Sequence, residues 1–220
     1  MAIWQSFRKP VLQTRVKQFF YKSVHQVLMV GEVWSHIPNY EYRKYCPMCN
    51  STKSMDHILT QCAGRANYII WHLAKRTWPH REIPWPEINI GLILGVGCLN
   101  ATKDINPKDQ AEKNPRTTAI WKGMTRLLQI LISESAHLIW VLRCERIIHD
   151  DNHTDNEIKV RWLRKINEQL TCDRITATKI EWNKTHTNLI KNTWKKILQK
   201  YHDLPVNWMN IREVLMGSGW

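Results

Sequence analysis

Apolar residues recur at three- and four-residue spacing in five stretches of the chain, which predicts five amphipathic helices. In the first stretch, residues 11–30, Val16, Phe20 and Val27 share one side, and charged and amide side chains lie off it. Gly31 follows this stretch, at a position where glycine commonly ends a helix. The other predicted helices cover residues 65–78, residues 118–149, a segment that begins after Thr154, and residues 187–201.

The predicted helix over residues 118–149 differs from the others, because apolar side chains surround most of its circumference. Leu131, Leu138 and Arg146 lie along its main stripe, and several isoleucines widen that stripe. A helix that is apolar nearly all round is typical of the interior of a folded domain. We therefore expect this helix to be the central element of the fold.

The segments between the predicted helices carry loop and capping signals. Residues 79–117 are rich in Pro, Gly and Asn, which predicts an irregular loop. Thr154 and Glu157 have the spacing of a capping box, which predicts the start of the fourth helix. No stretch shows convincing strand alternation, so we predict a mainly α fold with a basic helical domain packed on an N-terminal part. The predicted boundaries are 1–97 for the N-terminal part, 98–117 for a polar linker and 118–220 for the helical domain.

The charge of the chain favours an anionic partner. Its 220 residues include 32 Lys and Arg against 19 Asp and Glu, a formal net charge of +13. Nucleic acid is the commonest partner of so basic a protein. Most of the excess lies in residues 159–200, which contain 11 basic and 3 acidic side chains. The 12 Trp residues favour a core built on indole rings over a surface that stacks on bases.

The N-terminal residues and the longest apolar runs bear on localisation. The start, MAIWQSFRKPVLQ, has no apolar run after a basic cap, so we expect no secretory signal. No window reaches about 18 uninterrupted apolar residues, so we expect neither a transmembrane helix nor a membrane partner. An intracellular protein, nuclear or cytoplasmic, is the expectation. In that setting clustered cysteines indicate metal sites more readily than disulfides.

Three of the six cysteines lie in the segment CPMCNSTKSMDHILTQC, residues 46–62. Cys46 and Cys49 form a C-x2-C pair, and a histidine and a further cysteine, His57 and Cys62, follow at a spacing that can complete a tetrahedral set. A closed set of three thiolates and one imidazole favours a single structural Zn²⁺ near the N-terminal third. The alternatives are a redox pair formed by the first two cysteines and a core role for the histidine.

Two regions are candidates for contact with RNA or DNA. The loop NSTKSMD between the cysteines has one Lys and no aromatic residue, so we do not expect it to stack on a base. Just before the cysteines come Tyr40, Tyr42, Arg43, Lys44 and Tyr45. Alternating aromatic and basic residues suit the binding of single-stranded nucleic acid. The tyrosines could equally pack against the back of the cysteine-containing segment, residues 46–62. The predicted phosphate contacts further along are Lys159, Arg161, Arg164, Lys165, Lys191, Lys195, Lys196 and Lys200.

Other chemically suggestive groups have simpler alternatives. His149, Asp151 and His153 could bind a second metal, as in a metal-dependent nuclease, but Asp and Asn between helices are expected as turn and cap residues. Glu134 and Glu145 share a side of the central helix, where we expect ion pairs with arginines or with another helix rather than catalysis. Ser54 is predicted to cap a short helix that carries the histidine of the metal set. The cysteines predicted to be small buried residues are Cys98, Cys144 and Cys172.

Several segments of the chain resemble a known family. Residues 46–62, with the preceding SHIPNYEYRKY, are similar to the zinc-binding segment found behind the reverse transcriptase of non-LTR (LINE-type) retrotransposons. Later segments resemble the tail that follows the RNase H domain in fungal elements of that type: PWPEINIGLILG, ILISESAHLIWVLRCERI, RWLRKINEQLT and TWKKILQKYHDLPVNW. Together they cover nearly the whole chain, and ISESAHLIWVLRCER is the most specific of them.

The resemblance implies that Cys46, Cys49, His57 and Cys62 are zinc ligands and that the chain associates with nucleic acid. It implies no catalysis, because neither the polymerase aspartate motif of the family nor its RNase H carboxylate set is found here. The leading hypothesis is a non-enzymatic, zinc-stabilised helical module that binds RNA or DNA through phosphate contacts. The alternative is a protein-interaction or assembly module, either domesticated or docking to a separate polymerase/RNase H chain.

Overall fold

The structure is a computed structural model that describes residues 2–80, 83–100, 115–179, 184–199, 201–205, 207–211 and 214–216. Within these ranges the chain is mainly helical and has two isolated β-bridges but no strand, so the predicted fold class is confirmed. The α-helices are α1 (Ala2–Phe7), α2 (Thr14–Val24), α3 (Arg65–Thr77), α4 (Ile90–Leu94), α5 (Pro115–Ile148), α6 (Asp155–Lys179) and α7 (Lys184–Trp194). Most of the predicted linker, residues 101–114, lies outside the described ranges.

Helix α5 is the centre of the fold, as its apolar circumference predicts. It contacts α2, α3, α4, α6 and α7, and most of its side chains between Met124 and Leu142 are buried. By length and composition it could also cross a bilayer, but 78% of its most apolar window is buried inside the protein. That degree of burial is what the core helix of a folded domain shows.

Tryptophan supplies much of the core around α5. Trp162, Trp194 and Trp208 are buried, in agreement with the prediction of an indole-rich interior. A buried indole N–H needs an acceptor, and each of the first two has one. Trp162 donates to Ser135 Oγ at 2.9 Å, and Trp194 donates to a carboxylate oxygen of Asp173 at 2.7 Å.

Three ion pairs, of which Arg126–Asp173 is the most buried, join neighbouring helices to α5. Arg126 of α5 donates twice to Asp173 of α6, at 2.6 and 2.7 Å. Glu134 accepts from Arg15 of α2 at 2.9 Å. Glu145 accepts from Arg161 of α6 at 2.5 and 2.7 Å. Glu134 and Glu145 therefore each form an ion pair with another helix, which confirms the prediction of ion pairs for these two glutamates.

The predicted first helix is shorter in the structure. Helix α2 begins at Thr14 and ends at Val24, because Gln26 adopts a left-handed backbone with φ of 54°. Val27, predicted on the buried stripe, is instead 62% exposed. A separate short helix, α1, precedes it and was not predicted.

The last helix also differs from its prediction at both ends. Helix α7 begins at Lys184 and ends at Trp194, although the sequence predicted a helix over residues 187–201. Leu198 pairs with Met216 in an isolated antiparallel bridge, and the extended backbone of this bridge is incompatible with a continued helix. This contact is far along the chain, so local periodicity carries no sign of it. The loop predicted over residues 79–117 contains α4, whose first turn is capped by the Asn89 side chain.

Candidate metal centre

A tight turn brings Cys46 and Cys49 together. Tyr45 and Thr52 pair in an antiparallel bridge, and the N–H of Cys46 donates to the carbonyl of Ser51 at 2.8 Å. Within the turn, the N–H of Asn50 donates back to the carbonyl of Cys46 at 2.8 Å. Asn50 has a positive φ of 52°, a conformation that Asn tolerates better than most residues. This C-x2-C turn and the segment up to Cys62 are called the knuckle below.

A single π-helical turn, His57–Gln61, supplies the other two side chains. Its first N–H, that of His57, donates to Ser54 Oγ at 2.9 Å, which confirms Ser54 as the cap. The N–H of Cys62 donates to the carbonyl of His57 at 2.7 Å and closes the turn. Two anchors dock it on α3: Asn67 donates to the carbonyl of Ile58 at 2.6 Å, and the Trp71 indole donates to the carbonyl of Leu59 at 2.8 Å.

The four predicted ligands converge. One donor atom from each of Cys46, Cys49, His57 and Cys62 lies within 4.8 Å of all the others, so the set could hold one metal ion. The sulfurs of Cys46 and Cys62 are 3.7 Å apart. Zinc–sulfur bonds of the usual length at a tetrahedral angle place two sulfurs about 3.8 Å apart, so the spacing suits zinc.

The histidine is oriented for a ligand role. Nε2 of His57 is buried and has no hydrogen-bond partner. An unpartnered buried nitrogen is costly unless a metal or another group meets it. The other ring nitrogen, Nδ1, lies 3.4 Å from Ser51 Oγ, the kind of outer contact that fixes a ligating imidazole.

The thiols differ in their ionisation. Burial disfavours the Cys46 thiolate, but the neighbouring His57 side chain and the backbone N–H groups of Met48 and Cys49 outweigh this effect and lower the pKa of Cys46 to about 6. Burial raises the pKa of Cys62 to about 11 despite a hydrogen bond from the N–H of Gly64. One thiol is thus prepared as a thiolate, and a bound cation would favour ionisation of the others.

Three cations surround the knuckle on its buried side. Lys53, Arg143 and Arg146 line a small cavity of about 20 Å³ together with three of the four candidate ligands. Burial, together with the charge of Arg143, lowers the pKa of Lys53 to about 8. Three thiolates and one Zn²⁺ would carry a net negative charge, which these cations offset. Sequence reasoning missed this role, although Arg146 on an otherwise apolar stripe was a usable signal.

Comparison of the chain with protein-family models, with curated proteins and with solved structures finds no match. The function of the chain is therefore argued from the geometry of its own residues. The resemblance of its segments to a retrotransposon tail stays a hypothesis.

The alternative of a second metal site at His149, Asp151 and His153 is not supported by the structure. His149 and Asp151 are exposed, and His153 lies 2.7 Å from a carboxylate oxygen of Glu145. Among the described residues, the knuckle set is the one group of His, Cys, Asp or Glu found close enough together to hold a metal. The capping interpretation of this segment is borne out, because the N–H of Glu157 donates to Thr154 Oγ1 at 3.3 Å.

The remaining cysteines do not all fit their prediction as buried residues. Cys98 and Cys144 are partly buried, but Cys172 is exposed on α6. The prediction for Cys172 is wrong, because this position faces solvent between buried positions of the same helix. None of the six cysteines, all of which lie in the described ranges, forms a disulfide.

The predicted phosphate contacts have different environments. Lys159 and Arg164 are exposed on α6, and Lys191 and Lys195 are partly buried at α7. Lys196 is exposed, with Nζ 3.1 Å from Nδ1 of His80. Lys200 lies outside the described residues.

Three other predicted contacts lie in ion pairs. Arg161 binds Glu145 as described above, and Lys165 Nζ lies 3.1 Å from Glu168. Lys44 Nζ lies 2.8 Å from Glu32. These pairs reduce the charge available to a phosphate, a consequence that composition alone does not reveal.

Arg43 has a different setting. Its guanidinium lies 5.1, 4.6 and 5.9 Å from the ring centres of Trp34, Tyr40 and Tyr42. Tyr40, Tyr42 and Tyr45 are 42%, 66% and 47% exposed. Of the two alternatives for these tyrosines, packing against the back of the knuckle is thus the one that the structure disfavours.

Proposed function

We propose that this chain is a non-enzymatic, zinc-stabilised module that binds RNA or DNA through the phosphate backbone. The observation that carries the proposal is the convergence of Cys46, Cys49, His57 and Cys62. Three sulfurs and one imidazole nitrogen are the donors that zinc prefers. Because the protein supplies all four donors, no position is left for a reacting water, and the ion would act as a structural clasp.

The clasp stabilises the N-terminal part of the molecule. The knuckle meets α3 through the hydrogen bonds from Asn67 and Trp71, and it meets the end of α5 at the cavity lined by Arg143 and Arg146. A structural zinc contributes on the order of 10 kcal/mol to such a segment. With the ion bound, the residues just before the knuckle gain a fixed position on the protein surface.

The charge of the chain supplies the attraction to nucleic acid. The formal net charge is +13, and exposed cations such as Lys159 and Arg164 project from α6. Contacts of this kind neutralise phosphates and release counterions, so they give affinity without sequence preference. In the cell, we propose that the module acts beside a polymerase/RNase H chain, as the C-terminal part of a retrotransposon polyprotein would.

Fluorescence anisotropy with a labelled oligonucleotide tests the proposal. We expect log K to fall linearly with log salt, with a slope of about −0.7 to −0.9 for each phosphate contacted. The variant Lys159→Gln/Arg164→Gln should have a slope shallower by about two contacts. The control variant Lys75→Gln removes an exposed lysine from α3 and should leave the slope nearly unchanged. An affinity that does not change with salt would refute the proposal.

A second candidate function, a protein-interaction module, is favoured by one groove. It has a volume of about 550 Å³ and lies between the end of α2 and α4, lined by apolar residues that include Leu28, Val30 and Leu94. Val33, which also lines the groove, and the adjacent Met29 are exposed. Light scattering over a range of protein concentrations tests self-association: a dimer that Val33→Asp dissociates would support this function, and a monomer throughout would exclude a homodimer.

A further inference from the structure

We infer that Trp34, Tyr40, Tyr42 and Arg43 form a stacking surface for unpaired bases, so that the chain prefers single-stranded over duplex nucleic acid. This surface is called the aromatic platform below. The inference rests on the proposed function and specifies its ligand. The partner chemistry is a flat, unpaired base beside a phosphate, which both single-stranded RNA and single-stranded DNA provide.

The tyrosine rings of the platform are exposed, and Trp34 is partly buried beside them. Tyr42 is 66% exposed, and its ring centre lies 6.5 Å from that of Tyr40. The ring centres of Tyr40 and Trp34 are 6.2 Å apart. Large aromatic side chains are usually buried, so a group of neighbouring exposed rings indicates a contact surface. Base–ring stacking needs one free ring face, and a side chain exposed to this extent offers one.

The platform carries a positive charge that is not lost to a carboxylate. The Arg43 guanidinium lies within 6 Å of three ring centres, a distance at which cation–π attraction holds it in place. Its neighbour Lys44 is instead bound to Glu32. Arg43 can therefore meet a phosphate of the strand whose base lies on Tyr42.

The position of the platform is fixed by backbone contacts. Buried Lys53 donates from Nζ to the carbonyl of Arg43 at 2.8 Å. The Trp34 indole donates to the carbonyl of Met29 at 3.0 Å. Tyr45 stands next to Cys46 and pairs with Thr52 across the knuckle. A bound metal would thus hold the platform in one arrangement, which lowers the entropy cost of binding.

The choice of single strands follows from the chemistry of the two ligands. In a duplex the faces of the bases are already stacked on one another, so a protein ring reaches them only after unstacking. In a single strand the bases are free, and stacking on aromatic rings is tolerant of sequence. Phosphate contacts alone would favour the duplex, whose charge density is higher. A preference for single strands therefore distinguishes stacking from plain electrostatic binding.

Direct anisotropy titrations with three labelled ligands test the inference. The ligands are single-stranded DNA, single-stranded RNA of the same sequence, and the DNA duplex, each about 16 nucleotides long. We expect at least one of the single strands to bind with an affinity about 5-fold or more higher than that of the duplex. Comparison of the RNA and DNA single strands shows whether the 2′-hydroxyl of the ribose contributes to binding. Tyr42→Ala should weaken single-strand binding about 5-fold or more and leave duplex binding within about 2-fold, because one stacked base is lost. Tyr42→Phe retains the ring and should bind like the unmodified chain.

Tyr68→Ala is the matched control, because Tyr68 is 73% exposed on α3, outside the platform. It should bind single strands like the unmodified chain. Zinc content and melting temperature verify that each variant is folded, and the preference of the unmodified chain tests the inference even if Tyr42→Ala does not fold. Binding of the duplex as tightly as the single strands would overturn the inference and leave the proposed function standing. Failure of all three ligands to bind would refute the proposed function itself.

Discussion

Replacing Asp173 by alanine should destabilise the packing of α5, α6 and α7. This carboxylate is buried and joins three helices: it accepts from Arg126 of α5 at 2.6 and 2.7 Å and from the Trp194 indole of α7 at 2.7 Å. Gln169 adds a fourth hydrogen bond at 3.2 Å. The exposed fraction of the Asp173 side chain is only 8% and that of Arg126 is 12%, so water cannot easily replace these contacts.

The magnitude follows from what the substitution leaves behind. Removing one member of a buried ion pair costs about 3–5 kcal/mol, mostly because the remaining charge is buried without compensation. The indole N–H of Trp194 also loses its acceptor, at a cost of about 1–3 kcal/mol for an unsatisfied buried group. Because the two losses share one site, they do not add fully, and we expect at least about 3 kcal/mol. A typical domain has only about 5–15 kcal/mol of net stability.

Urea unfolding followed by circular dichroism measures the loss. The midpoint should fall while the slope m stays the same. Asp151→Ala, which removes an exposed carboxylate, should change stability by less than about 0.5 kcal/mol. The double variant Arg126→Met/Asp173→Leu should recover much of the stability, because no uncompensated charge remains. A loss below about 1 kcal/mol for Asp173→Ala would refute the reasoning.

Three further predictions concern the metal, a helix crossing and a histidine. Chelation should lower the melting temperature, and added Zn²⁺ should restore it, because the ion contributes on the order of 10 kcal/mol; an unchanged melting temperature would contradict this. Gly123→Ala should cost about 1–3 kcal/mol in urea unfolding, because the new Cβ would lie 2.6 Å from Asn192 of α7; a stabilised variant would show that α7 can move away. Burial and nearby positive charges lower the pKa of His137 from 6.5 to about 4, so the unfolded chain takes up this proton first as the pH falls. Stability should therefore decline from about pH 6.5 to 4, and less so in His137→Gln; parallel urea midpoints for the two proteins over that window would contradict the prediction.

The convergence of the four candidate ligands could be predicted because its determinants are local. Cys46 and Cys49 need only a tight turn, and the turn residues between them are in the sequence. His57 and Cys62 are placed by one helical turn with a serine cap, another short-range feature. Helix α5 was predictable for the same kind of reason, since its apolar residues repeat along one continuous stretch. Local structure that depends on neighbouring residues in this way can be predicted from the sequence.

The surroundings of the site depend on contacts between distant residues, so the sequence did not reveal them. Arg161 reads as a surface cation on α6, but folding places it against Glu145 of α5. Lys53 is the one lysine of the loop between the cysteines, and in the structure it is buried and donates to the backbone carbonyl of Arg43. The end of α7 likewise depends on a bridge to residue 216. Periodicity within a helix cannot report which other element will pack against it.

The knuckle also changes how the basic charge of the chain is understood. Sequence composition directed attention to residues 159–200, where most of the charge excess lies. In the structure some of that charge is paired, whereas Arg43 keeps its charge beside exposed rings next to the knuckle. The proposed metal thus has two consequences: it folds the knuckle and it positions the aromatic platform. Loss of the metal should weaken single-strand binding as well as stability.

Metal content is the most direct test of the central claim. The unmodified protein, Cys49→Ser and Cys172→Ser should be purified without chelator and analysed by elemental mass spectrometry. Cys172→Ser is the matched control, because that thiol is exposed on α6 and lies outside the knuckle. We expect one zinc per chain in the unmodified protein and in Cys172→Ser, and loss of the zinc in Cys49→Ser. A protein that contains no zinc, or a Cys49→Ser variant that retains it fully, would contradict the four-ligand site.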